Sequence, residues 1–86
     1  MTDTMGTTWR DNDGTLHLDV RGLPPPEPLV AALRLIDTLA APEPVVLHLD
    51  RDPQLLYPEL AERGWEAEAD PGEAGEVRLR LLPPSA

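Results

Sequence analysis

The amino-acid sequence predicts an α/β two-layer sandwich of order β-α-β-α-β-β, a four-stranded mixed sheet with two helices on one face. Three observations lead there. Apolar residues alternate over 16–20 and concentrate over 45–49, and a stretch of helical period lies between the two runs. A second helical stretch is bounded by Asp52-Pro53 and Gly64. Two further strand-like runs, 65–70 and 76–82, are separated by Pro71, Gly72 and Gly75.

Residues 1–13 are mostly Thr, Asp and other polar types and read as a flexible N-terminal tail; Trp9 is its one aromatic residue and could fold back onto the domain. Asp13-Gly14 is a turn signal. The domain is expected over 14–82, with a second tail over 83–86. In the first strand Leu16, Leu18 and Val20 share one face, and His17 and Asp19 share the other. Pro24-Pro25-Pro26-Glu27-Pro28 follows. Proline suits the first turn of a helix, whose N–H groups have no intrahelical partner. A helix over 26–40 then places Leu29, Ala32, Leu33, Ile36, Leu39 and Ala40 on one broad face, with Arg34, Asp37 and Thr38 opposite.

The next strand turns Val45, Leu47 and Leu49 toward the helices and Val46 and His48 outward. Two strands joined by a helix form a right-handed, parallel β-α-β unit. In the second helix Asp52 suits the N-cap, Pro53 the first helical position and Gly64 the stop. Pro58 lacks a backbone N–H, which predicts an irregular first turn over 53–57 and regular helix to Arg63. The last two strands form a hairpin with Glu66, Glu68 and Asp70 facing Arg78 and Arg80.

Composition excludes several functions. The chain has 86 residues, room for one domain. It has no Cys, so neither a disulfide nor thiol chemistry is available. Seven Arg, no Lys and 16 Asp or Glu give a net charge of −9. A surface so acidic repels phosphate backbones and anionic membranes, and suits a protein partner with a basic face. No signal-peptide core or spanning run is present, so a cytoplasmic protein is expected, as a monomer or weak dimer. A phosphate-binding glycine loop is missing. The one Ser is Ser85, in the tail, so no serine triad is assembled.

The segment from Leu18 to Pro28, read as Leu-Asp-Val-Arg-Gly-Leu-Pro-Pro-Pro-Glu-Pro, resembles the opening motif of the TusA/SirA-like sulfur-carrier family. There Leu-Asp, a short spacer and Gly-Leu precede Cys-Pro-x-Pro at a helix start. Asp52-Pro53, Pro58 and Gly64-Trp65 are similar to later landmarks of that family. The resemblance spans residues 16 to 82 and implies the same element order. It departs at the reactive position, where the family's Cys falls at Pro25. Sulfur carriage needs a thiolate, and proline offers none. The chain thus resembles a Cys-less, uncharacterised branch, whose members often occur beside hemerythrin-like domains or in settings of nitrogen-oxide and other redox metabolism.

Four groups of residues are candidates for function. Asp19, Arg21, Gly22, Pro25, Pro26, Glu27 and Pro28 form the motif, either a rigid recognition loop or a stiff helix start. His17, His48 and Asp19 share the outer sheet face and offer two imidazoles and a carboxylate to Zn or Fe, or stand there as solvated polar residues. Arg78, Arg80 and His48 are a small anion or partner site, or pair with the facing carboxylates. Asp50 and Asp52 flank Arg51 before a helix, where capping explains them; Tyr57 and Trp65 are packing residues. The expectation is a non-catalytic, cofactor-free interaction or accessory module. A small-ligand or metal-binding protein, and a sulfur-transfer scaffold without its own Cys, are the alternatives.

Overall fold

The computed structural model describes residues 6–70 and 75–84. Among these, five strands and two helices follow in the order β1 (Thr7–Arg10), β2 (Leu16–Asp19), α1 (Glu27–Thr38), β3 (Val45–Leu49), α2 (Leu56–Glu62), β4 (Glu66–Asp70) and β5 (Val77–Leu82). The sheet runs β1-β2-β3-β5-β4. Strands β2 and β3 are parallel, as the intervening helix requires, and the other pairs are antiparallel.

The sheet has five strands where the sequence predicts four. Thr7–Arg10, assigned above to the tail, pairs with β2 through a tight turn. Asp11 builds that turn: one oxygen of its carboxylate accepts the backbone N–H groups of Asp13 and Thr15, at 2.9 and 3.0 Å. All four β1 residues are exposed, so no apolar alternation marks the strand. Its Thr-Thr-Trp composition favours pleated backbone all the same. Residues 1–5 of the expected tail lie outside the described residues, as do 71–74 of the β4–β5 turn and 85–86.

The core fills the space between the sheet and the two helices. Leu47, Leu79, Leu81, Val20 and Val45 from the sheet meet Leu56 and Leu60 from α2 and Ala31, Ala32 and Ile36 from α1. The buried stripe of α1 is turned slightly from the expected one: Ala31 joins it, and Ala40 lies past the helix end. The start of α2 is also corrected. Asp52 does not cap it; Gln54 N–H donates to the Asp52 carbonyl and Leu56 N–H to that of Pro53, an irregular turn before Leu55 opens the helix. Gly64 ends α2 at φ +78°, where a side chain is disfavoured, and Trp65 N–H reaches back to the Leu60 carbonyl. No helix among the described residues is long and apolar enough to cross a membrane.

Candidate functional site

Two surfaces concentrate the candidate residues. The first lies beyond the carboxyl ends of β2 and β3, where parallel strands of α/β sheets open a crevice. One wall is the loop leading into α1, with Leu23, Pro25, Pro26 and Pro28; the other is the loop from Asp50 to Leu56. Together they line an apolar cleft of about 330 Å³. The two loops are tied by Gly22, whose N–H donates to Asp50 Oδ2 at 2.6 Å. Gly22 makes the turn at φ +86°. Asp19 fixes the same loop through the backbone and guanidinium of Arg21 at 2.8–3.0 Å. That pair lowers the Asp19 pKa, chiefly through the hydrogen bond from Arg21.

Polar groups at the cleft mouth are partly spent. Asp52 accepts the Tyr57 hydroxyl at 2.6 Å. Burial, then that hydrogen bond, push the Tyr57 pKa up to about 12. Leu55, at the rim, is 73% exposed. Glu27 of the motif opens α1, and its N–H donates to the Pro24 carbonyl. Pro25, at the position where the sulfur-carrier motif that this segment resembles has Cys, stands in the cleft wall.

The second surface is the sheet face turned away from the helices. The register brings His17, Asp19, Val46, His48, Arg78 and Arg80 onto it, as expected. Their surroundings differ from a solvated face. His48 is buried at 7% exposure. His17 Nδ1 lies 2.9 Å from His48 Nε2. Each imidazole also meets a carboxylate: His17 Nε2 lies 2.8 Å from Asp11 Oδ2, and His48 Nδ1 lies 2.6 Å from Glu76 Oε2. Trp9 folds back as a stack over both rings, at centroid distances of 5.1 and 5.3 Å. Asp11 and Glu76 are site residues that the sequence reading misses. The signal for Glu76 is its parity with Arg78 and Arg80; the signal for Asp11 is the Asp13-Gly14 turn followed by a strand.

The candidate metal set does not come together. Both nitrogens of each ring are engaged, and Asp19 turns to Arg21. Among the described residues no group of three or more His, Asp or Glu is placed to hold a metal ion. Arg78 and Arg80 line a recess of about 360 Å³ with His17, but Asp11, Asp13 and Asp70 line it too. Arg78 pairs with Glu76 at 3.3 Å and Arg80 with Asp70 at 3.9 Å. Such a mixed lining offers an anion little net attraction.

Comparison with known proteins places the chain in a family and a fold. Residues 17–82 match the family described as "Uncharacterized conserved protein (DUF2249)". The chain belongs to this family. The DUF2249 chain is also similar to a solved structure, the SirA-like protein from Desulfitobacterium hafniense, at 21% identity and a TM-score of 0.70. That match covers 80% of this chain and 97% of the other. The fold is therefore the SirA/TusA-like one. No curated protein matches.

Proposed function

We propose that this DUF2249 chain is a non-catalytic binding module of redox-related metabolism, which holds a cytoplasmic partner protein at the apolar cleft beyond β2 and β3. The carrying observation is that cleft, walled by Leu23, Pro25, Pro26 and Pro28 on one side and Leu56 on the other, with Leu55 exposed at its rim. Proline walls are rigid before binding, so little conformational entropy is lost when a partner docks. An exposed Leu beside an apolar cleft gives a docking segment an anchor. The non-catalytic reading is supported by Pro25, which offers no nucleophile where the sulfur-carrier motif that this segment resembles has Cys.

The test is affinity capture from the native host, with the wild-type chain beside Leu55→Asp and Arg80→Glu. The expected result is one partner held by the wild type and by Arg80→Glu and lost from Leu55→Asp. A partner lost only from Arg80→Glu, or no partner at any salt concentration, overturns the reading.

A further inference from the structure

We infer that the chain of contacts from Asp11 through His17 and His48 to Glu76 is a binding site for one proton, which fastens Trp9 and strand β1 to the sheet. Three short contacts join the four groups, at 2.8, 2.9 and 2.6 Å, and each needs one proton between its heavy atoms. Asp11 accepts two backbone N–H groups on its other oxygen, and its pKa is lowered, first by the hydrogen bond from His17. It is therefore an ionised acceptor, and His17 Nε2 carries a proton. A neutral ring protonated at Nε2 has a lone pair at Nδ1. With His17 neutral, His48 Nε2 donates across the central contact; with His17 doubly protonated, its Nδ1 donates instead and His48 Nδ1–H faces Glu76. The last contact needs a third proton, on His48 Nδ1 facing a carboxylate, or on Glu76 facing a neutral ring.

Each arrangement holds three protons. Two neutral imidazoles between two carboxylates hold two. The closed network thus takes one more proton from bulk water, shared along His17, His48 and Glu76 and belonging to the set as a whole. With one proton fewer, two lone pairs face each other within a hydrogen-bond distance; with one more, two N–H groups face each other across the central contact. The side chains of His48 and Glu76 are 8% and 5% exposed, so water does not readily repair such a mismatch.

Other charges surround the set. Asp19 and Arg78 stand in register with His48 from β2 and β5, and Arg78 also meets Glu76. Arg21 closes on Asp19, Arg10 at the end of β1 pairs with Glu43, and Asp13 lies at the β1–β2 turn. Arg80 and Asp70 lie farther along β5 and β4. Trp9 lies over both rings, so a shared cation there also attracts the indole face. β1 is the outer strand and, among the described residues, pairs with β2 alone. Releasing the proton opens a bond beneath Trp9, and β1 loosens as pH rises.

The test is NMR of the full chain as a function of pH, reading the His17 and His48 ring nitrogens, the Glu76 carboxyl and the Trp9 indole. The expected result is three protons on the four groups while Trp9 is stacked, released in a single one-proton step that moves the Trp9 signal with it. In Glu76→Gln the amide can donate to an unprotonated Nδ1, so that step should vanish with Trp9 still stacked. A count of two protons while Trp9 is stacked, or a Trp9 signal indifferent to the step, overturns the inference. The wild-type count decides even if Glu76→Gln fails to fold.

Discussion

The two surfaces of this domain are built in opposite ways. The cleft at the strand ends comes from two continuous loops, each carrying proline and leucine, and its floor is part of the core. The face behind the sheet comes from four separated places, Trp9 and Asp11, His17, His48 and Glu76, joined by strand register. The first depends on packing and tolerates changes at its rim. The second depends on matched donors and acceptors, and one altered group disturbs the set.

The greatest loss should come from undermining the cleft floor. Leu56 is 1% exposed, and Leu56→Ala should cost about 2–5 kcal/mol in urea denaturation. On the other face, Glu76→Ala leaves a buried ring nitrogen without its partner and should cost about 1–3 kcal/mol by the same measurement. Trp9→Ala removes the stack over the two rings and should cost about 0.5–1.5 kcal/mol. If Trp9→Ala is as costly as Leu56→Ala, the polar face is a second core and the contrast between the surfaces fails.

Two smaller effects probe the same contrast. Asp11 and Asp19 have depressed pKa values in the folded chain, held by His17 and Arg21 respectively. Their contribution to stability is present above the unfolded value near 3.8 and is lost as pH falls through the lower folded values. Acid should therefore disturb Trp9, on this face, before Trp65 in the core, as read from their indole signals. At the cleft, Tyr57 is the single tyrosine. Its absorbance should titrate at about 12, and Asp52→Ala should bring it down by removing the hydrogen-bond acceptor. An unchanged titration would show that burial alone sets it.

Most of the architecture is legible in the sequence because its signals are local. Leu16, Leu18 and Val20 alternate, and Gly64 and Trp65 mark a helix stop and the strand after it. β1 is not legible as a strand because Thr7, Thr8 and Arg10 carry no buried apolar side chain, and its place is set by the Asp11 turn and by Trp9 on the far face. The motif from Asp19 to Pro28 points to the cleft wall, and the alternation of His17 and His48 puts both on one face. Their partners are hidden for a different reason. Asp11 sits in a turn and Glu76 at a strand margin, positions where a carboxylate usually meets water. Only the assembled register shows that both are aimed inward at imidazoles.

Strand β4 closes the sheet on the side away from β1, with no strand beyond it among the described residues. Glu66 and Glu68 are exposed there, and Asp70 follows at the same spacing. A second copy approaching that edge with its own β4 would set carboxylates against these. Like-charge repulsion thus disfavours pairing of β4 with a second β4 at that edge.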